Sequence, residues 1–154
     1  MTTYFEDIEI GHLVVTARRT ITEADILWFC GLSGDFNPLN TDIEFIREHT
    51  PFRDRVAHGH LVLSITGGLR SELDAWRIIA YLDCQRRFLA PVYAGDTIHA
   101  TYRVSELRPS RSRPGTGITT FDVETLNQDG EVVQQGLDVL LVGTRDGSAA
   151  GIAT

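Results

Sequence analysis

Long runs of β-forming residues fill the second half of the chain, and they limit its possible folds more than any other feature. The runs are rich in Ile, Val, Thr, Tyr and Phe, and they cover residues 78–89, 97–107, 117–126 and 131–142. Breaks containing glycine or proline separate the runs. One of these breaks, Asp129-Gly130, is a strong signal for a hairpin turn. The pattern therefore predicts four consecutive antiparallel strands.

The first half of the chain predicts one short strand followed by helices. Residues 13–21 have the composition of a strand, and Thr22 is a suitable N-cap for a helix with two acidic residues in its first turn. Gly31, Gly34 and Pro38 are expected to break this helix. A second, short helix is expected to begin at Asp42 and to end before Pro51.

Residues 59–71 predict a helix of another kind. Leucine, isoleucine and valine occupy most of its sides together with small residues, and a helix that is apolar on nearly all sides is usually buried. A central helix followed by four antiparallel strands predicts an α+β fold, in which a curved antiparallel sheet wraps around the buried helix. This arrangement matches a hot-dog fold. Such folds usually dimerise edge to edge, which covers an exposed strand.

Length and composition indicate one soluble globular domain. The chain has 154 residues, of which 42% are hydrophobic and 23% are charged. We expect the domain to cover residues 1–144 and residues 145–154 to form a flexible tail. The net charge of −7 disfavours nucleic acid, whose phosphates require dense basic contacts. The longest apolar run, residues 61–69, is shorter than the roughly 20 residues that a bilayer requires. With no signal peptide recognised, we expect no membrane insertion and a cytoplasmic location.

A short segment after the first helix holds the clearest candidate for chemistry. Asp35 lies in a turn bounded by glycine and proline and is followed by Phe36. A carboxylate beside apolar groups can act as a general base, whereas a turn aspartate often only accepts hydrogen bonds from its own backbone. Both interpretations are open from the sequence. Asn37-Pro38 is expected to direct the side chains on either side of it.

The start of the central helix is the second candidate. Gly59 would bring free backbone N–H groups close to a substrate carbonyl without a Cβ in the way. His58, His60 and Ser64 lie on the same segment, and together with Asn37 they are predicted to contact the substrate. No cysteine or suitably spaced acid accompanies the histidines, so a metal site is not expected.

The arginines allow a further interpretation. The loop containing Arg108, Arg111 and Arg113 is either a solvated turn or a clamp for the phosphates of an acyl carrier. Arg86 and Arg87 are adjacent on a predicted strand, so only one of them can line a ligand channel.

The segments 34–39, 57–59 and 88–97 resemble the MaoC-like dehydratases, or (R)-specific enoyl-CoA hydratases, of the hot-dog superfamily. The resemblance extends from Tyr4 to Val142. It implies that Asp35 activates water for addition to an enoyl thioester and that the N–H of Gly59 binds the thioester oxygen. The substrate would be an acyl-CoA or acyl-carrier thioester, and no cofactor is implied.

The sequence departs from the family pattern at one position. The pattern reads Gly-Asp-x-Asn-Pro-[aliphatic]-His, and here the histidine is Asn40. An amide can orient a water molecule, but it does not exchange protons at neutral pH.

Three functions are compatible with these residues. The first is a hydratase or dehydratase, with Asp35 as base and Asn40 orienting water. The second is a non-catalytic or weakly active acyl-CoA-binding subunit of a heteromeric dehydratase, which Asn40 favours. The third is a related thioesterase or isomerase. We expect a homodimer, or alternatively a heterodimer with another MaoC-like chain.

Overall fold

The computed structural model describes residues 1–147 and has the predicted α+β architecture. Four helices belong to the first half of the chain, and the four longest strands belong to the second half. The helices are α1 (Glu23–Ser33), α2 (Pro38–Thr41), α3 (Ile43–His49) and α4 (Gly59–Gly67). The strands are β1 (Leu13–Val15), β2 (Arg19–Thr20), β3 (Ile78–Phe88), β4 (Thr97–Pro109), β5 (Thr116–Leu126) and β6 (Val132–Gly143). Two 3₁₀ helices cover Phe5–Asp7 and Glu72–Ala75.

The strands form one antiparallel sheet with the order β1-β4-β5-β6-β3, and β2 also pairs with β4. The predicted boundaries of the four long strands are confirmed to within two residues. The chain turns between β5 and β6 at Gly130, where φ is +79° and a residue with a side chain would be strained. Strand β3 lies at one end of the sheet, so one of its edges is free among residues 1–147 of the single chain.

Helix α4 packs on the inner face of the sheet. Leu61, Val62 and Ile65 belong to a buried cluster with Ile98 of β4 and Val133 of β6. A second buried cluster covers the rest of this face. In it, Trp76 and Tyr102 pack against Phe121 with ring centroids 5.7 and 6.0 Å apart, respectively. The sheet therefore packs against the buried side of α4 and fixes where the helix begins.

Some predicted elements differ from the structure. Residues 13–21 form two short strands instead of one, and both pair with β4. Helix α2 was not predicted, because its four residues begin with a proline that is equally typical of a turn. Helix α4 ends at Gly67, before the predicted Ser71. Only one side of α4 is buried, since His60, Ser64 and Gly67 are exposed in the single chain.

A buried ion pair joins β3 to β6. Nη1 of Arg86 donates to Oδ1 of Asp138 at 2.7 Å, and the two side chains are only 4% and 2% exposed, respectively. The hydroxyl of Tyr81 donates to the other carboxylate oxygen at 2.8 Å. Burial and the nearby Asp138 carboxylate raise the pKa of Tyr81, so this hydroxyl remains a donor. The guanidinium of Arg86 is thus bonded to Asp138 within the sheet.

The predicted tail begins at a residue with defined contacts. The backbone N–H of Arg145 donates to the Glu6 carboxylate, and its guanidinium pairs with Asp7. Residues 148–154 lie outside the described residues, so the tail stays a prediction. Among residues 1–147, no helix is long and apolar enough to cross a lipid bilayer.

Candidate active site

Asp35 lies just beyond the end of α1, in a turn that local hydrogen bonds stabilise. Gly34 ends the helix with φ at +76°, a left-handed conformation that glycine adopts readily. The N–H of Asn37 donates to Oδ1 of Asp35 at 3.2 Å, which is the local hydrogen bond expected of a turn aspartate. The side chain is nevertheless 56% exposed and lines a cleft. Oδ2 is therefore available to a substrate or water molecule.

His58 supports this turn from the side. Its Nε2 lies 3.1 Å from the main-chain oxygen of Asp35 and 3.7 Å from Oδ2 of the same residue. The side chain is 6% exposed, and its ring packs against Phe29 with centroids 5.0 Å apart. Sγ of Cys30 is 3.9 Å from Nε2. Burial raises the pKa of the Cys30 thiol, with a smaller effect from Asp35, so Cys30 is not a thiolate nucleophile.

Asn40 is buried and already uses its amide nitrogen. It lies in α2, whose start is capped by Asn37 through a hydrogen bond from the N–H of Leu39. Nδ2 of Asn40 donates to the main-chain oxygen of Val56 at 2.6 Å. The backbone of Val56 also donates to Leu39, so two hydrogen bonds join α2 to the segment before α4. Asn40 lines the same cleft as Asp35.

Gly59 is the first residue of α4, and the helix start is open. His58 occupies the N-cap position but makes no side-chain capping hydrogen bond. The first N–H groups of a helix have no carbonyl partner within it, so they can donate to a ligand. An added Cβ at Gly59 would lie 2.6 Å from the ring of Phe88, so a larger residue here would require that ring to move.

The sheet holds the start of α4 through a residue that sequence reasoning missed. Nε2 of Gln134 donates to the main-chain oxygen of Gly59 at 2.8 Å, although the two residues are 75 positions apart. Gln134 is 2% exposed and pairs with Phe88 across β3 and β6. No local pattern in the sequence marks this contact, because it depends on the register of two strands.

The cleft has two lobes that meet at Gly59 and His60. The Asp35 lobe measures about 460 Å³, and its polar lining consists of Ser33, Asp35, Asn37, Asn40, His58 and His60. The Phe88 lobe measures about 370 Å³ and is lined mainly by apolar residues, among them Val62, Phe88, Leu89, Pro91 and Val92. His60 is exposed in both lobes. A polar centre beside an apolar channel suits an acyl chain with one reactive end.

Other predicted groups lie elsewhere. Ser64 donates to the oxygen of His60 and lines a separate groove with Arg18, Arg19 and Arg70, so the single chain does not bring it to the cleft. The loop between β4 and β5 adjoins the end of β6 at Gly143, far along the strand from Gln134. Within residues 1–147, no three His, Cys, Asp or Glu side chains come together as a metal site requires.

Comparison with known proteins decides the family. Residues 7–126 match the family described as MaoC like domain. The chain belongs to the MaoC-like dehydratase family. Among relatives of this MaoC-like chain, an (R)-specific enoyl-CoA hydratase from Rhodospirillum rubrum is 36% identical over 143 residues, covering 92% of the chain and 93% of the relative. A 3-hydroxybutyryl-CoA dehydratase from Methylorubrum extorquens is 33% identical over 134 residues, covering 84% and 82%, respectively.

Solved structures confirm the fold of this MaoC-like chain. A monoamine oxidase regulatory protein from Archaeoglobus fulgius is 38% identical with a TM-score of 0.83, and the match covers 93% of the chain and 95% of that protein. A Mycobacterium tuberculosis protein described as a double hotdog fold is 21% identical with a TM-score of 0.80. That match covers 97% of the chain and 47% of the protein, and it concerns the fold alone. The predicted single hot-dog fold is therefore confirmed.

Proposed function

We propose that this MaoC-like chain is an acyl-thioester hydratase that adds water reversibly to a trans-2-enoyl-CoA to give a (3R)-hydroxyacyl-CoA. The observation that carries the proposal is that Asp35 and the open helix start at Gly59 line the same cleft. Hydration needs a base for water and donors for a developing enolate oxygen. Relatives named as CoA-thioester hydratases and dehydratases support this reaction class. The coenzyme A thioester is substrate, and no separate cofactor is needed.

In this mechanism, the thioester oxygen lies at the N–H of Gly59 and the β-carbon faces Asp35. Asp35 takes a proton from water as the water oxygen bonds to the β-carbon. The electron pair of the double bond moves towards the thioester, and the α-carbon then receives a proton. Backbone N–H groups at the start of α4 favour negative charge on the oxygen, because they carry the positive end of the helix dipole.

The first prediction concerns Asp35. In Asp35→Asn, the base is lost while an amide oxygen still accepts the N–H of Asn37, so turnover should fall by a factor of about 10² to 10⁴. The measurement is the loss of enoyl absorbance with short and medium trans-2-enoyl-CoA substrates. Asp42→Asn is the matched control, because Asp42 accepts two backbone N–H groups at the start of α3 and lies outside the cleft lining.

A second candidate function rests on Asn40, whose Nδ2 is bonded to the Val56 carbonyl and which is not a proton carrier. In that case the chain binds acyl-CoA as the weakly active subunit of a heteromeric dehydratase. Turnover that appears only when a second MaoC-like chain is added would support this function and contradict the first. Thioester hydrolysis or double-bond migration in the same assay would indicate a thioesterase or isomerase.

We further propose that the protein is cytoplasmic and forms a homodimer through the free edge of β3.

A further inference from the structure

His58 is the titratable side chain in contact with Asp35, and within residues 1–147 only one of its two ring nitrogens has partners. Nε2 lies 3.1 Å from the main-chain oxygen of Asp35. Nδ1 is buried and has no hydrogen-bond partner among the described residues. A carbonyl oxygen only accepts hydrogen bonds, so the proton of the neutral ring is on Nε2. The ring therefore acts on Asp35 as a donor.

The ring is also the fixed partner in this contact. It is 6% exposed and packed against Phe29, whereas the Asp35 side chain is 56% exposed in a turn. A second proton on the ring would be on Nδ1, buried and without an acceptor among residues 1–147. This arrangement suits a group that donates one hydrogen bond throughout the reaction better than one that exchanges protons.

The other side chains near the turn are engaged elsewhere. The hydroxyl of Ser33 donates to the oxygen of Phe29 and accepts the N–H of Asp35. Asn40 donates to Val56. Of the two histidines that line this lobe, His58 contacts Asp35, with Nε2 3.7 Å from Oδ2, whereas His60 packs against the ring of Phe88.

We propose that His58 is a positioning residue that allows Asp35 to act as the only proton carrier of the site. This inference rests on the proposed hydratase function. Asp35 accepts the water proton as the oxygen–β-carbon bond forms, and it returns that proton to the α-carbon, so the carboxylate is restored at the end of the cycle. Throughout, His58 donates from Nε2 and holds the turn so that Oδ2 faces the cleft. A histidine at position 40 is then unnecessary for turnover.

The test compares His58→Gln with His58→Met. Glutamine places an N–H donor near the position of Nε2 and cannot exchange protons, whereas methionine fills the same space without a donor. We expect His58→Met to lower kcat by about 10- to 100-fold with KM changed by less than about 2-fold, since the main-chain oxygen of Asp35 loses its donor and the turn is no longer held. His58→Gln should retain at least about a third of wild-type kcat on the same reasoning. His49→Gln, on α3 beside Glu48, is the control.

A His58→Gln enzyme that is folded but as slow as His58→Met would overturn the proposal, because it would identify His58 as a proton carrier. Wild-type kcat in both variants would overturn it as well. Circular dichroism and thermal unfolding establish that each variant is folded. If His58→Met does not fold, His58→Gln alone decides, and a kcat below about a tenth of wild type contradicts the proposal.

A second measurement separates this proposal from the hydratase function. Long-range ¹H–¹⁵N spectra of the labelled wild-type protein report which imidazole nitrogen carries the proton. We expect the Nε2–H tautomer in the wild type and in Asp35→Asn, because the main-chain acceptor remains. The Nδ1–H tautomer would overturn the positioning role. A wild-type protein that hydrates no enoyl thioester but shows the Nε2–H tautomer would instead contradict the proposed function.

Discussion

Asn40 connects the helices of the first half to the start of α4. The family pattern that the sequence resembles predicts a histidine at this position. The Asn40 amide holds the carbonyl of Val56, two residues before His58. Asn40→His should raise the hydration rate by up to about 10², because an imidazole at this position would add a second proton carrier to the Asp35 lobe. The measurement is kcat with the best enoyl-CoA substrate.

The control for this change is Asn40→Ala, which also loses the hydrogen bond to Val56 but adds no acid or base. Its free energy of unfolding should be lower than that of the wild type by about 1–3 kcal/mol, since the main-chain oxygen of Val56 is left without this donor. A folded Asn40→His enzyme with unchanged or lower kcat would contradict a gain from a second proton carrier at this position and would agree with Asp35 acting alone.

Single residues of the site were predictable where local chemistry marks them. Asp35, Asn37 and Gly59 lie in breaks between elements, where a side chain or free N–H must have a specific use. Gln134 was not predictable, because it is one polar residue in a strand and its contact with Gly59 depends on the pairing of β6 with β3. Ser64 was misleading, because helical periodicity places it one turn beyond His60 and outside the cleft in the single chain.

Helix α1 begins with a reciprocal capping box. The N–H and hydroxyl of Thr22 both donate to Oδ2 of Asp25 at 2.8 Å, and Arg19 pairs with Oδ1. Burial alone would raise the pKa of Asp25, but the hydrogen bonds from Thr22 and the Arg19 charge outweigh it, and the pKa is lowered. The predicted N-cap at Thr22 is confirmed.

A lowered pKa in the folded state makes this cap pH-dependent. The carboxylate contributes stability above the unfolded pKa of about 3.9, and that contribution is lost as the pH falls through the lower folded value. Asp25→Asn should therefore be less stable than wild type at pH 7, by about 1 kcal/mol, and the difference should shrink below pH 4. Urea unfolding of the wild type and Asp25→Asn at pH 7, 4 and 3 measures the difference in stability and its change with pH. A constant difference would contradict the pKa assignment.

Strand β3 is held to β6 by the Arg86–Asp138 pair. Removing one member leaves the other charge buried, so Arg86→Met or Asp138→Leu should each lower the free energy of unfolding by about 3–5 kcal/mol. The double variant should lose less than either single variant, because no unpaired charge remains. Chemical denaturation of the three variants forms the test. A double variant as unstable as the sum of the singles would mean that the pair is not coupled.

This pair also illustrates which features of the elements could be predicted. The strands were found because β-branched and aromatic residues recur in runs between turn signals, and such runs require no knowledge of partners. The burial of Arg86 requires the register of β3 on β6, where Gly136 lies opposite it. The register is set by packing over the whole sheet, and a single strand sequence does not encode it.

At the scale of the whole molecule, the long edge strand β3 stands out. It has 11 residues, eight of which are exposed, and one of its edges is unpaired among residues 1–147. Tyr81, Leu82, Phe88 and Leu89 are each about half exposed, in two apolar groups that Asp83, Gln85 and Arg87 separate. A long unpaired edge strand with exposed apolar groups invites pairing with another strand. Phe88 and Leu89 also line the Phe88 lobe of the cleft, so pairing would cover one side of the acyl site.

The homodimer can be tested at Leu82, which is 47% exposed on β3. Sedimentation velocity should give a dimer mass for the wild type and a monomer mass for Leu82→Arg, because the apolar Leu82 contact would be replaced by a charge buried in the paired edge. Leu32→Arg is the matched control. Leu32 is 83% exposed on α1, away from this edge, so the variant should remain dimeric. A monomeric wild type that dimerises only with a second MaoC-like chain would contradict the homodimer and support the heteromeric subunit.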